Sequence, residues 1–208
     1  MAWARAACSS TGGPASKVSS SELVYDFFED HVRAAAAVRE RTPLALGVTC
    51  FAFGALALFV AQASAGRLFL GFSWISLCLM IVWDLLSGFL LAAVLHLILA
   101  MGRTQGSAAG LFVLFGMANL VWVLAVPLVL IVKALAPDSG TALTVVFLAL
   151  GLLGFALRAR SVGDNYQISL GRAWATLSLP YVGAAAGVLI LLSLAMVGLF
   201  LELMKALR

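Results

Sequence analysis

Charge is scarce in this sequence. Only 11% of its 208 residues are Asp, Glu, Lys or Arg, whereas 63% are hydrophobic. A soluble domain is about half apolar and about a quarter charged, so this balance excludes an ordinary water-soluble globule. The formal net charge of +4 rests on 13 Lys and Arg, and these sit at the edges of apolar blocks, which excludes a nucleic-acid surface. Cysteine is also sparse: Cys8, Cys50 and Cys78 are widely separated and form no CxxC or Cys/His cluster. Neither a disulfide framework nor a zinc site follows from that spacing, and small inert thiols are expected. No nucleotide-binding loop, GxSxG, HExxH or pair of carboxylates is present. With so few polar side chains to supply chemistry, no catalytic residue, metal or cofactor is expected.

Long apolar blocks are what the sequence does have. Blocks of about 20 such residues match the hydrocarbon layer of a bilayer, about 30 Å thick. The expected fold is therefore an all-α, polytopic transmembrane bundle. Its five spans fall at about 43–65, 82–101, 109–132, 141–157 and 181–203, within a membrane domain over 43–207. The second block, 68–101, would make a helix about 51 Å long, so 68–81 is read either as an interfacial segment or as the start of a long tilted helix.

Before the spans, residues 1–18 are small, polar and Gly/Pro/Ser-containing, the composition of a disordered tail. No apolar run of signal-peptide length follows Arg5. Residues 19–42 differ. Ser19 and Glu22 have capping-box spacing. Leu23, Val24, Phe27, Phe28 and Val32 recur on one helical face, with Glu29 and Arg33 as an i,i+4 pair elsewhere. An amphipathic helix is expected here, either covering apolar surface or docking a partner.

Basic residues set the expected orientation. Arg5, Lys17, Arg33, Arg39, Arg41, Arg103, Arg158, Arg160 and Arg172 share one side, against Arg67, Lys133, Lys205 and Arg208 on the other. The amino terminus is thus expected in the cytoplasm and the carboxyl terminus across the membrane. Residues 158–178 form a second cytoplasmic piece, ending in a short helix at 169–177.

Ionisable groups inside a span carry a functional hypothesis by default. If the second span begins at about 82, Asp84 lies about 3 Å of helix rise from its outer end. There it can pair with Lys133, and Lys133 with Glu202, in an outer-interface ion pair. His96 lies about 8 Å from the inner end, at the depth of Asn119 on the antiparallel third span, so a His96–Asn119 hydrogen bond is expected. Asp84 and His96 are about 18 Å apart along a continuous helix and do not meet. Gly183 and Gly187 form a GxxxG, and Gly151 with Gly154 thins the fourth span; these are expected helix-packing positions, chiefly within the bundle. Pro127 should kink the third span or free the carbonyl near Val123.

The layout also carries a family resemblance. A histidine near the end of the second span leads into a Gly/Ser connection, HLILAMGRTQGSAAG (96–110). A span with a central proline follows, NLVWVLAVPLVLI (119–131), and SLGRAWATLSLP (169–180) precedes the last span. Over residues 25–207 the chain resembles the Yip-domain family, five-span membrane proteins whose eukaryotic members interact with Rab-type GTPases. The Ala-, Leu- and Gly-rich composition resembles a bacterial member. The family's acidic motif before the first span has no counterpart here, and no binding role passes to Asp26, Glu29 or Asp30. The resemblance implies a non-enzymatic scaffold or accessory subunit in a bacterial inner membrane, with the lipid bilayer and a membrane-protein partner or second copy as its contacts. The alternative is a small transporter or channel component with a path near His96, Asn119 and Pro127.

Overall fold

The computed structural model of this chain describes residues 19–68, 71–137 and 139–206, and all regular structure among them is helical. The expected tail 1–18 lies outside the described residues. Two short helices come first, α1 (Ser20–Glu29) and α2 (His31–Arg41). Five long apolar helices follow: α3 (Leu44–Ala65), α4 (Trp74–Met101), the pair α5 (Ala108–Asn119) and α6 (Ala125–Leu135) read as one, α7 (Gly140–Tyr166) and α8 (Leu170–Ala206). Each is long and apolar enough to cross a membrane.

The amphipathic segment is two helices rather than one. The capping box forms as expected: Ser19 Oγ accepts from the Glu22 amide at 3.2 Å, and Glu22 Oε2 accepts from the Ser19 amide at 2.7 Å. The break comes at Asp30, whose Oδ1 accepts from the Arg33 amide and so starts α2. A short acceptor side chain favours that capping role over a place inside a helix. The break also carries Glu29 out of helical register with Arg33, which pairs instead with Asp26, Nε to Oδ2 at 3.4 Å.

Of the two readings of 68–81, the second span takes the long continuous helix, from Trp74 onward. Residues 74–81 are helical and continuous with 82–101, giving α4 a length of about 42 Å. A second capping box, Ser73 with Ser76, starts it. Pro127 does not stop the third span. The chain tightens to a 3-10 turn over Leu120–Leu124, just ahead of α6, and Val123 lies in that turn. Pro127 has no N–H to offer the Val123 carbonyl, and the departure from α-helical geometry lies in the turn just before it. The separate piece expected at 158–178 does not exist. α7 runs on to Tyr166, and α8 starts at Leu170 and continues through Pro180.

α3 and α5 approach each other closely at Gly47 and Gly116. A Cβ on Gly116 would stand 2.5 Å from the Gly47 carbonyl oxygen, so only hydrogen at this position permits the approach. The expected packing glycines do not behave this way. Gly154, Gly183 and Gly187 have no described atom within 4 Å of a built Cβ, and Gly151 meets only the Trp122 ring at 4.0 Å. The reason is the course of α8. Ala173 and Leu177 are buried at its base, but along 181–200 every residue except Gly187 is exposed.

α1 and α2 lie against the bundle. Leu23, Phe27, Ala34, Ala35 and Val38 join Leu114, Met117 and Ala118 of α5 in one apolar cluster. Phe28, half-exposed, lines a cavity with Leu120 and Leu157.

Candidate functional site

Three polar side chains from three helices meet between the apolar faces. Asn119 closes α5 and is 2% exposed. Its Nδ2 donates to Asp84 Oδ2 of α4 at 2.6 Å, and its Oδ1 accepts from the Arg158 guanidinium of α7 at 3.1 Å. The amide is thus oriented with its NH2 toward the acid and its carbonyl toward the cation, the arrangement an acceptor and a donor demand. Nδ2 also lies 3.5 Å from the Phe51 carbonyl of α3. A Cβ on Gly54 would collide with the Asn119 amide, so this glycine makes room for it. Gly54 stands about 15 Å from either end of α3, which places Asn119 halfway along that helix. The Arg158 guanidinium carbon stands 5.9 Å from the Phe115 ring centroid, within cation–π range.

Two cavities flank Arg158. One, of about 380 Å³, opens between α4 and α8 and is lined by Trp83, Leu90, Leu91, Pro180 and Tyr181, among others. The other, of about 280 Å³, is lined by Asn119, Trp122, Gly151, Gly154, Phe155 and Tyr181. Gly151 and Gly154 therefore thin α7 beside a cavity rather than against another helix.

His96 has a different partner from the one expected. Its Nδ1 lies 2.8 Å from the Tyr166 hydroxyl at the end of α7. Asn119 is occupied by Asp84 and Arg158, so the His96–Asn119 bond is not formed. Asp84 and His96 remain apart on one unbroken helix, each with its own partner. The outer-interface ion pair is not formed either. Asp84 lies ten residues inside α4, about 15 Å from Trp74, because the helix starts earlier than 82. Glu202 bonds Lys205 at 2.8 Å, and exposed Lys133 makes no ion pair among the described residues.

Arg158 is the site residue that sequence reasoning misplaced, by assigning it to a connection. A signal was available: Gly151, Gly154 and Arg158 recur at helical spacing and share one face of α7. Small residues ahead of a basic one leave space for its side chain to turn inward.

A second polar group pins the amino-terminal helices. His31, 1% exposed, places Nδ1 2.7 Å from Asp164 Oδ2, with Ser161 Oγ 3.3 Å from Nε2. The order Ser–His–Asp is that of a hydrolase triad, but Ser161 is fully buried and its hydroxyl donates to the Leu157 carbonyl at 2.8 Å. A nucleophile so enclosed cannot meet a substrate, and the trio serves as a clasp between α2 and α7. Burial pushes the His31 imidazole pKa below its ordinary value of 6.5, against the opposing pull of Asp164. Asn165 adds a tie to the α4–α5 connection, donating to the Ser107 carbonyl at 2.9 Å.

Cys50 and Cys78 are free thiols. No group of three or more His, Cys, Asp or Glu suited to a metal occurs among the described residues. The fold and site define a class: an all-α bundle whose five long apolar helices suit an integral, multi-pass membrane protein, with an acid–amide–guanidinium chain between its helices. No family model matches the chain, and no curated protein or solved structure does either.

Proposed function

We propose that this chain is a non-enzymatic membrane protein of the Yip kind, acting as a scaffold or accessory subunit that docks through α8. The observation that carries the reading is the exposure of that helix. Its base is anchored at Ala173 and Leu177, yet its long apolar continuation touches almost nothing of its own chain. Leu189, Leu191, Leu194 and Phe200 are all more than half exposed. Helices associate in a bilayer by close packing, and the adjoining Gly183 and Gly187 permit it. The bundle lies in a bacterial inner membrane on this reading, with the amino terminus in the cytoplasm and the carboxyl terminus across the bilayer.

A second reading, transport, is favoured by one observation: Arg158 and Asn119 line a cavity. Neither His96 nor Pro127 lines it, so the path differs from the one the sequence suggested. Scaffolding ranks first because Asp84, Asn119 and Arg158 are bonded to one another rather than left open.

Purification in mild detergent separates the two. Scaffolding requires a stoichiometric membrane-protein companion or a discrete self-assembly, lost when Leu191→Ser alters the bare face of α8 and kept after Leu130→Ser on α6. A lone monomer whose vesicles pass solute, with the flux lost on Arg158→Gln, would overturn it.

A further inference from the structure

A groove of about 510 Å³ opens between α3 and α7, at the end of the bundle where α3 stops and α7 begins. Arg67 stands at its mouth. α3 has 22 residues, about 33 Å or one hydrocarbon thickness, and Gly66 ends it in the left-handed conformation, so Arg67 lies just past the span. The guanidinium reaches the first turn of α7, where Nη2 donates to the Gly140 carbonyl at 2.7 Å and to Thr144 Oγ1 at 3.0 Å. Two helix ends and a cation thus share one level, that of the polar edge of a bilayer. From there the lining runs inward. Leu148 is eight residues along α7, about 12 Å, and Leu58 is seven residues back from the end of α3, about 10 Å. Phe147 and Trp122, with rings 6.5 Å apart, complete the apolar wall. Gln62 lines the groove between Leu58 and Arg67, so the lining grades from cation through amide to hydrocarbon.

Arg67 is held in place but only partly used. Both protons of Nη2 go to α7, whereas Nη1 and Nε, three of the five donors, have no acceptor among the described residues. Thr144 gives its own proton to the Gly140 carbonyl at 2.9 Å, so it positions the guanidinium and offers no donor itself. Arg67 forms no ion pair among the described residues. The charged residues described at this end of the bundle are Arg67, Lys133 and the Glu202–Lys205 pair, whose acid is already bonded. Asp138 lies outside the described residues.

We propose that this groove binds an anionic phospholipid of the surrounding bilayer. The phosphate accepts hydrogen bonds from Nη1 and Nε of Arg67, a planar fork suited to it, and one acyl chain lies along Leu58, Phe147 and Leu148. Net charge decides the occupant. A zwitterionic lipid brings the same phosphate and chains, but its own cation competes with Arg67 for that phosphate. A free phosphate satisfies the fork and makes no use of the apolar length. The site belongs to α3 and α7 and stands or falls separately from docking through α8.

Trp122 supplies the probe. In a variant with Trp3, Trp74, Trp83 and Trp174 changed to Phe, its fluorescence is measured in phosphatidylcholine vesicles. These contain equal mole fractions of dibrominated phosphatidylglycerol or dibrominated phosphatidylcholine. The anionic lipid is expected to be enriched at the groove about two- to fivefold, the range of one exposed ion pair, and to quench correspondingly more. Arg67→Gln should equalise the two lipids, and Arg67→Lys, which keeps the charge but not the fork, should weaken the preference. Lys133→Gln, at the same end but outside the groove, should leave it intact, as should added inorganic phosphate at constant ionic strength. If Arg67→Gln does not fold, the parent comparison and Arg67→Lys decide. Native mass spectrometry of the unaltered chain from mixed vesicles should retain phosphatidylglycerol over phosphatidylcholine. Equal quenching in the parent, the result if Asp138 answers Arg67, would overturn the proposal. So would a preference that survives Arg67→Gln or is unchanged in Arg67→Lys, one lost equally in Lys133→Gln, one removed by phosphate, or no quenching by either lipid.

Discussion

Replacing Asn119 by Ala removes the one side chain that joins the acid of α4 to the guanidinium of α7. Two hydrogen bonds are lost, 2.6 Å to Asp84 and 3.1 Å from Arg158. Each has a charged-type partner, for which about 1.5–3 kcal/mol is usual in soluble proteins, whereas interhelical bonds in membranes average about 0.6 kcal/mol. The two scales bracket the loss between about 1 and 6 kcal/mol, and Asn119 is nearly fully buried, so water cannot replace it cheaply. A destabilisation of about 2–3 kcal/mol is expected, read from reversible unfolding in mixed micelles of increasing denaturing detergent. The sharper quantity is the coupling to Asp84→Asn. If the amide and acid act as one unit, the double variant should lose about 1 kcal/mol less than the sum of the singles. Additivity within about 0.5 kcal/mol, or an Asn119→Ala variant as stable as the parent, would refute the reasoning that this trio holds the helices together.

Three further outcomes are expected. Gly54→Ala should destabilise the bundle strongly, because its Cβ meets the Asn119 amide. Gly154→Ala meets nothing within 4 Å and should be neutral, or stabilising by up to about 1 kcal/mol through helix propensity; the same unfolding assay ranks them, and the reverse order would be inconsistent with the packing described. Tyr166→Phe removes the 2.8 Å bond to His96 and should cost about 1 kcal/mol, with His96→Ala adding little to that variant. The His31 clasp should loosen in acid. Its folded pKa lies below 6.5, so the unfolded state binds more protons, and the stability it contributes is present at neutral pH and lost as pH falls below 6.5. Hydrogen exchange of α1 and α2 between pH 7.5 and 5.5 should show this rise in opening, and His31→Gln should abolish it; a response unchanged in that variant would assign it to Asp164, Arg160 or another group.

Local signals in the sequence were reliable where a few neighbouring residues decide the outcome. The Ser19/Glu22 capping box forms, and the first span, expected at 43–65, is Leu44–Ala65. Errors arose where an end had to be placed within an apolar run. The position of Asp84 was read from a span starting at 82, whereas α4 starts at Trp74, ten residues before it. Ending the fourth span at 157 turned Arg158 into a loop residue, although α7 continues to Tyr166 and aims it at Asn119. Hydropathy averages along the chain and does not register which way a side chain points.

Composition and periodicity by themselves determined that this is an all-helical chain with five segments able to cross a bilayer, because solvent preference sums over each segment regardless of its neighbours. They also determined that Asp84 and His96 stay apart, since helical rise alone separates them. Only the tertiary structure decided which polar groups meet. Asp84, Asn119 and Arg158 lie 35 and 39 residues apart in sequence, and their encounter depends on the rotation of α4, α5 and α7 about their own axes. That rotation is set by contacts such as Gly54 against Asn119 and Gly116 against Gly47, which are properties of pairs of helices and not of any one segment.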